Sequence, residues 1–367
     1  MSINSENTTS ENANNSNPEQ QINEHQDSLS ESAQENDPLE KNIPEGIDQT
    51  NEEGTEVREA VARMKAEIAK VIVGQDDMIS MMIAALLTDG HILLEGVPGI
   101  AKTLTAKLLA QCLDGQFNRI QFTPDLMPTD IIGTTIFDMK RSEFYFKKGP
   151  IFSNVVLIDE INRAPAKTQA ALMEVMEEEQ VTVDGVTYPM PPPFFVVATQ
   201  NPVEQEGTYK LPEAQLDRFM FKILAVYPTV SEEEMMLQRF KNDFFNRQQK
   251  EVSKVIDSAS LLRYRRFVEK VFIKDELLKY IAQIVAQTRN NSDLYLGASP
   301  RASINILKAS KAIALMAGRN FVTPDDIKRV AFPVLNHRLI LSYEREIEGV
   351  EIREIIENLI KKVEVPR

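Results

Sequence analysis

The chain has 367 residues, of which 43% are hydrophobic, so it can form two packed domains with further segments attached. Its formal net charge is −14, but that charge is unevenly distributed. Residues 1–54 hold thirteen acidic residues and one lysine, whereas residues 55–367 hold 42 acidic and 40 basic residues. A body this close to neutrality has no strong electrostatic attraction for nucleic acid or an anionic membrane, and we expect neither as a partner.

The sequence predicts a cytoplasmic protein that does not insert into membranes. The longest apolar-rich stretch, Met78–Leu87, is far shorter than the roughly 20 residues that a membrane span requires. The N-terminus lacks the basic region and apolar run of a secretory signal. Cys112 is the single cysteine, which excludes an internal disulfide, and its apolar helical context makes it a predicted core residue.

Residues 1–54 are rich in Asn, Ser, Glu and Gln and contain no aromatic residue, which predicts a disordered acidic tail. A helical pattern begins at Glu56, and a second predicted helix covers roughly Asp76–Thr88. Short apolar runs then alternate with helical patterns as far as residue 228. The predicted strands are His91–Glu95, Arg119–Phe122, Val155–Ile158, Phe194–Thr199 and Phe219–Val226.

This alternation predicts an α/β domain over residues 55–228, a three-layer αβα core with a parallel five-stranded sheet. Residues 229–367 have helical patterns and predict an all-helical lid domain. The clearest predicted helices are Ser231–Asn246, Lys274–Gln287, Ser299–Ala317 and Thr323–Phe332.

A glycine-containing loop follows the first predicted strand and precedes a helix. Its residues, with the first helical leucine, are Gly96, Val97, Pro98, Gly99, Ile100, Ala101, Lys102, Thr103 and Leu104. Glycines let backbone N–H groups turn towards an anion, and the helix N-terminus adds partial positive charge, so this order predicts a phosphate-binding loop for ATP. Lys102 is expected to contact the β- and γ-phosphates, and Thr103 to bind Mg²⁺.

One loop position departs from the usual motif, which has glycine where this chain has Ala101. Alanine suits the loop if its φ is negative, and we expect that conformation because the residue enters the following helix. The alternative for the whole loop is a glycine-rich turn beside a coincidental Lys-Thr pair.

Two further predicted strands end in polar residues at the same edge of the sheet. Asp159 and Glu160 follow Val155–Ile158, where Asp159 could bind Mg²⁺ through water and Glu160 could act as the general base. Asn201 follows Phe194–Thr199 and could hydrogen-bond the attacking water or the γ-phosphate. By itself, Asn201 could equally form an Asn-Pro turn.

In this order the motifs resemble those of AAA+ ATPases, and specifically those of the MoxR family, over about residues 57–350. The resemblance rests on the phosphate loop with Ala before Lys and on three further segments, which are Leu157–Pro165, Ala198–Pro202 and Glu206–Phe219. It implies that Lys102 and Thr103 are ligands of the nucleotide and Mg²⁺, that Asp159 and Glu160 are the Walker B pair, and that Asn201 is the first sensor.

The resemblance also implies roles that the residues alone do not suggest. Gly74 and Gln75 match the segment that packs against adenine, and Arg218 would be an arginine finger that reaches the nucleotide of the next subunit. Arg163 is also typical of the family. The sequence leaves open whether it acts on the nucleotide of its own subunit, acts on that of a neighbouring subunit or has a structural role. Arg301 would be the second sensor, contacting the γ-phosphate from the lid.

Arg301 can also be argued from the sequence itself. Ser299 and Pro300 predict a helix start, so Arg301 lies in the first helical turn. A cation there opposes the helix dipole at a cost of about 0.3–1 kcal/mol, which a nearby anion would reverse.

Two hairpin inserts are predicted in the core, near residues 125–152 and 180–190. The first pairs Thr134–Phe137 with Phe144–Lys147, and the second pairs Gln180–Val183 with Val186–Met190. In AAA+ proteins with such inserts the hairpins face the pore or the upper surface of the ring. Residues 144–146 could therefore contact a client, or alternate members could pack on the core.

The resemblance implies a chaperone-like ATPase that forms a homo-oligomeric, hexameric ring and acts on protein clients, with von Willebrand factor A domain proteins as partners. A nucleic-acid motor is an alternative because the same core serves both. The compact basic cluster Arg263–Arg266 is, however, also explained by a solvated helix face. A nucleotide switch with little turnover is a second alternative.

Overall fold

The computed structural model describes residues 52–97, 99–202, 208–241 and 252–366. Residues 1–51 of the predicted disordered tail lie outside these ranges. Residues 52–54 are helical, because the first helix begins at Glu52, four residues before the predicted start. Glu52 and Glu53 suit the dipole of its first turn, and Gly54 packs against the backbone of Gly318, so charge and packing explain the extra turn.

The predicted helices and strands occur in the predicted order, with further elements between and after them. The helices are α1 (Glu52–Ala69), α2 (Asp76–Leu87), α3 (Lys102–Cys112), α4 (Pro128–Ile132), α5 (Ala166–Glu178), α6 (Glu213–Leu216), α7 (Val230–Phe240), α8 (Ser258–Lys270), α9 (Asp275–Arg289), α10 (Pro300–Met316), α11 (Pro324–Leu335), α12 (Tyr343–Ile347) and α13 (Ile352–Lys362). The strands are β1 (Ile92–Glu95), β2 (Phe117–Gln121), β3 (Gly133–Asp138), β4 (Glu143–Lys148), β5 (Val155–Asp159), β6 (Gln180–Val183), β7 (Val186–Pro189), β8 (Phe195–Gln200), β9 (Phe221–Leu224), β10 (Leu294–Leu296) and β11 (Ile340–Leu341).

Five strands form one parallel sheet in the order β2-β5-β8-β1-β9, which confirms the predicted α/β core. Successive residues of β8 face opposite sides of the sheet. Phe195 and Val197 join the core formed with α1, α2 and α3, whereas Val196 and Ala198 join the core formed with α5. Cys112 is buried on α3, and burial raises the pKa of its thiol to about 12, as befits a core residue.

The parallel sheet has two distinct edges that organise the functional residues. At the carboxyl edge the phosphate loop follows β1, Glu160 follows β5 and Asn201 follows β8. At the amino edge His91 precedes β1 and Met220 precedes β9, and the Met220 N–H donates to the His91 backbone oxygen at 2.7 Å. The four residues of β1 separate these edges by about 13 Å.

Both hairpins form, as β3–β4 and β6–β7, and they contact each other. Thr135 Oγ1 donates to Asp184 Oδ2 at 2.6 Å, and the rings of Phe146 and Tyr188 lie 4.5 Å apart. Phe144 on the same strand is 74% exposed. The structure therefore separates the aromatic residues of β4 into one that packs and one that faces solvent.

The C-terminal part is helical, as predicted, apart from the short antiparallel pair β10–β11. Helix α10 lies at its centre, packed against α8, α9 and α11 and against α1 and α2 of the core. Helix α7 covers the first part of the predicted helix Ser231–Asn246, and residues 242–246 lie outside the described ranges. Over the described ranges, no helix combines the length and the apolar character needed to cross a bilayer.

Candidate nucleotide site

The phosphate loop joins β1 to α3, and Gly96 lies in a crowded position within it. A Cβ at residue 96 would lie 2.8 Å from the Ala225 backbone oxygen and 2.7 Å from Ile100 Cδ1, so the position requires glycine. The Gly96 N–H donates to the Gln200 backbone oxygen at 3.3 Å, which ties the loop to the end of β8. Pro98 lies outside the described residues.

Ala101 adopts a conformation opposite to the one expected. Its φ is 61° and its ψ is 21°, in the left-handed region, so the prediction of a negative φ is wrong. The residue immediately precedes Lys102, the first residue of α3, and the chain keeps there the backbone conformation that a glycine adopts readily. The associated strain is on the order of 1–2 kcal/mol for alanine, and strained residues of this kind concentrate at ligand sites.

The Lys102 ammonium lies within the loop, 2.5 Å from the Gly96 backbone oxygen and 3.4 Å from that of Gln200. Burial lowers the pKa of Lys102 from its ordinary value, while the carboxylates of Asp159, Glu95 and Glu160 raise it. A phosphate oxygen is a stronger acceptor for an ammonium than a neutral carbonyl oxygen. Lys102 is therefore placed so that its ammonium can replace its bonds to the Gly96 and Gln200 oxygens with bonds to phosphate oxygens.

Thr103 and Asp159 bring two oxygen ligands together. Thr103 Oγ1 lies 3.3 Å from Asp159 Oδ1, and Thr199 Oγ1 lies 3.2 Å from the same oxygen. Arg119 Nε donates to Asp159 Oδ2 at 2.6 Å and orients the carboxylate. Mg²⁺ commonly takes one or two protein oxygens and completes its octahedron with waters and substrate phosphates. The hydroxyl of Thr103 and the carboxylate of Asp159 fit that requirement.

Glu160 follows β5 with a φ of 57°, a second non-glycine residue in the left-handed region. Its backbone N–H donates to Thr199 Oγ1 at 3.0 Å. Its carboxylate oxygen Oε2 accepts from Gln121 Nε2 at 2.8 Å and from Arg163 Nη1 at 2.9 Å. Two donors therefore hold the Glu160 carboxylate at the carboxyl edge, and Arg163 contacts it within the same chain.

The predicted adenine segment lies close to the phosphate loop. Gly74 and Gln75 have φ values of 70° and 64°, and Gln75 Nε2 donates to the Val226 backbone oxygen at 2.8 Å. The neighbouring residue Ala225 is the one that packs against Gly96. Gln75 is thus connected to the phosphate loop through the end of β9.

Asn201 is buried at the same edge, 8% exposed. Sequence reasoning missed three other residues that orient the site, which are Arg119, Gln121 and Thr199. Each is a polar residue within a segment that is predicted as a strand, and such a residue in a buried strand is a signal for a functional contact.

Arg218 and Arg301 lie together, away from the phosphate loop. Arg218 Nη2 is 2.9 Å from Glu177 Oε2, and Arg301 Nη2 is 2.7 Å from Glu177 Oε1. Arg301 Nη1 also lies 3.9 Å from Asp217 Oδ2. Glu177, near the end of α5, had no distinguishing context in the sequence. The structure therefore groups two predicted arginines around a carboxylate that was not predicted.

These contacts place both arginines near the amino edge of the sheet. His91 Nε2 donates to the backbone oxygen of Met176, the residue before Glu177, at 3.0 Å, and His91 precedes β1. The phosphate loop follows the other end of β1. Helix α10, which carries Arg301, begins beside Asp217 and Glu177 at the opposite edge, so Arg301 lies away from the phosphate loop of its own chain.

Comparison with known proteins matches both domains. Residues 91–221 match the model of the ATPase family associated with various cellular activities (AAA), and residues 286–359 match the AAA lid domain. Chaperone MoxR1 of Mycobacterium tuberculosis is 44% identical over 310 residues, which are 82% of this chain and 81% of that protein. Protein MoxR of Methylorubrum extorquens is 28% identical over 333 residues, 84% of this chain and 95% of that protein.

A solved structure has the same fold. The crystal structure of a candidate ATPase from Cytophaga hutchinsonii is 46% identical in sequence and superposes with a TM-score of 0.79, covering 86% of this chain and 98% of that chain. The similarity therefore includes the core and much of the lid.

Proposed function

Because this chain belongs to the MoxR family of AAA+ ATPases, we propose that it binds ATP with Mg²⁺ and hydrolyses it at a site shared by two subunits of a homo-oligomeric ring. One observation carries the proposal. The phosphate- and metal-binding residues lie at the carboxyl edge of the sheet, whereas Arg218 and Arg301 meet near the amino edge. Each chain would thus carry both halves of the proposed site, at opposite edges of its sheet.

The carboxyl-edge half supplies binding and proton transfer. Lys102 and the loop N–H groups hold the phosphates, and Thr103 with Asp159 holds the metal. Bound Mg²⁺ would neutralise charge on the transferring phosphoryl group. Glu160 accepts the proton of the attacking water, and Asn201 orients that water or the γ-phosphate.

The amino-edge half supplies positive charge to the nucleotide of a neighbouring subunit. A guanidinium stays protonated and can bind two phosphate oxygens at once. Since Arg218 and Arg301 share Glu177, a phosphate that replaces Glu177 meets both side chains. Such a head-to-tail contact closes into a ring when the rotation permits, and we propose a hexamer, the assembly that the family resemblance implies.

Glu160→Gln tests the hydrolytic assignment. The amide cannot accept a proton, so we expect turnover by the assembled ring to fall by about 10²–10⁴-fold while ATP stays bound. Phosphate release and retention of labelled ATP measure the two effects. Glu174→Gln on α5 removes a charge outside both halves and serves as the matched control. A wild-type ring that binds ATP without turnover would instead favour a nucleotide switch.

For the biological role we propose chaperone-like remodelling of protein clients, with von Willebrand factor A domain proteins as partners and a cytoplasmic setting. The similarity to Chaperone MoxR1 of M. tuberculosis supports this role. So does the first hairpin, whose tip carries the exposed side chains of Phe137, Met139 and Phe144.

Capture on Glu160→Gln protein in the presence of ATP, compared with ADP, would identify the clients. Stimulation of turnover by DNA would instead favour a nucleic-acid motor. In the basic cluster on α8, however, Arg263 pairs with Glu56 and Arg265 pairs with Asp89. Those two arginines join the lid to the core, which leaves a weaker basic surface than the sequence suggested.

A further inference from the structure

Three consecutive residues, Asn336–Arg338, join the lid to the segment that carries Arg218. They follow α11 directly, and each is buried, with 5% to 7% of its surface exposed. Asn336 Nδ2 donates to the Lys222 backbone oxygen at 2.9 Å, and His337 lies against the Phe219 backbone oxygen at 3.1 Å. We call these three residues the lid clasp.

Arg338 makes most of the bonds of the lid clasp. Its Nε donates to Asp217 Oδ1 at 2.7 Å, and its Nη2 donates to the backbone oxygens of Asp217 at 2.8 Å and Phe219 at 2.6 Å. Its Nη1 donates to the backbone oxygen of Met220 at 3.3 Å. Burial lowers the pKa of Arg338 to about 10, while Asp217 raises it, so the guanidinium stays charged at neutral pH. These acceptors flank Arg218 on both sides.

Asp217 receives a second set of contacts from the start of α10. Ser299 is the N-cap residue of α10, as predicted, and its hydroxyl donates to the two Asp217 carboxylate oxygens at 3.1 Å and 3.0 Å instead of to the helix backbone. Arg301 approaches the same carboxylate. Since α10 packs along α11, Arg301 and Arg338 belong to one helical unit. The residue before Arg218 is therefore held by both lid helices.

We propose that Arg338 is a positioning residue for ATP hydrolysis, which fixes Arg218 beside Arg301 by holding Asp217 and the backbone of residues 217–220. Both guanidinium groups then approach the neighbouring subunit's nucleotide as a pair. This inference rests on the proposed shared site, because it requires Arg218 to act on a neighbour. If Arg338 only stabilises the contact of lid and core, its loss should lower turnover equally in every subunit. If it positions Arg218, its loss should lower turnover only in subunits that provide Arg218 to a neighbour.

The test uses rings mixed from two full-length variants. The donor subunit carries Lys102→Ala and keeps Arg218, and the acceptor subunit carries Arg218→Ala and keeps Lys102. Each should be inactive alone, and mixing should restore turnover wherever a donor Arg218 faces an acceptor nucleotide. Arg338→Gln is then added to the donor or to the acceptor at one fixed ratio and concentration.

In the donor, Arg338→Gln is expected to lower the restored turnover by about 10²-fold, the cost of misplacing a reacting group by about 1 Å. In the acceptor it should leave restored turnover unchanged, because that subunit has no Arg218 to position. Binding of a fluorescent ATP analogue should be the same in both mixtures. Arg319→Gln in the donor is the matched control, because Arg319 pairs with Asp326 at 2.7 Å and donates to the Phe321 backbone oxygen at 3.1 Å, within the lid.

An unchanged rescue by the Arg338→Gln donor, or an equal loss in donor and acceptor, would overturn the positioning role. If mixing Lys102→Ala with Arg218→Ala subunits that both keep Arg338 restores no turnover, the shared site is overturned, and the positioning role of Arg338 is overturned with it. If Arg338→Gln does not fold, Asn336→Ala replaces it, since this change removes the bond to the Lys222 oxygen and keeps Arg338. A smaller loss confined to the donor is expected, and a symmetric loss or none would reject the proposal.

Discussion

At the scale of single residues, Ala101 stores strain in the phosphate loop. Its φ of 61° costs an alanine about 1–2 kcal/mol, a cost that glycine does not incur. Ala101→Gly should therefore raise the free energy of unfolding by up to about 1 kcal/mol, because the greater entropy of glycine in the unfolded chain offsets part of the gain. Urea unfolding measures the change, and affinity for ATP should be retained.

The matched control for that substitution is Ala106→Gly. Ala106 lies inside α3 and is fully buried, so the same chemical change there should lower the free energy of unfolding by about 1 kcal/mol. Opposite signs at the two positions are the expected result. A loss at position 101 equal to that at position 106 would mean that Ala101 has a helical φ in solution.

The residues of the carboxyl edge could be predicted because their signals are local. The phosphate loop, Asp159 and Glu160 each follow an apolar run directly, and the order of elements then brings them together. The partners of Arg338 could not be predicted. Asp217 is 121 residues away in sequence, and most of the acceptors are backbone oxygens, which carry no side-chain identity. The left-handed backbone at Glu160 has no sequence signal either, since the residue is not glycine. At Ala101 the signal was the glycine that the usual motif has at this position.

At the scale of elements, the sheet was predictable because buried parallel strands are continuous apolar runs. The hairpin β3–β4 was predictable in position but not in orientation. Phe146 faces Tyr188 and Phe152, with ring centroids 4.5 Å and 5.9 Å away, whereas Phe144 contacts Phe137 at the exposed tip. Which strand face is covered depends on the second hairpin, and its position beside the first is a tertiary property.

This orientation predicts different outcomes for two neighbouring substitutions. Phe144→Ser should change the free energy of unfolding by less than about 0.5 kcal/mol, because the ring is exposed, yet weaken capture of clients. Phe146→Ser should cost about 1–3 kcal/mol through lost packing with Tyr188 and Phe152. Urea unfolding and ATP-dependent client capture measure the two effects.

Deletion of residues 138–147 removes the tip and most of β4, including the packed Phe146, and serves as the stronger version of the same test. Client binding and remodelling that survive the deletion would reject the hairpin as a client-contacting element. Basal ATP turnover is the internal control, since the tip lies outside both halves of the nucleotide site.

At the scale of the whole molecule, two buried histidines connect the core to the surrounding elements. The Val196 N–H donates to His91 Nδ1 at 3.1 Å, so the other ring nitrogen carries the proton that is donated to Met176. If His91 took up a second proton, its Nδ1–H would point at the N–H of Val196, and this hydrogen bond would be lost. Burial lowers the pKa of His91, and burial together with nearby Arg338 lowers the pKa of His337. Both imidazoles are therefore neutral in the folded chain at neutral pH.

These two lowered pKa values predict a molecule that loses stability in mild acid. Below about pH 6.5 the unfolded histidines bind protons that the folded ones do not, so the free energy of unfolding falls as the pH falls. Between about pH 7.5 and pH 5.5 each histidine should lower the free energy of unfolding, by at most about 1.4 kcal/mol. Urea unfolding across this range measures the slope, and His91→Gln should make it shallower. A slope that is the same in wild type and variant would show that His91 titrates alike in the folded and unfolded states, contrary to its burial between β8 and α5.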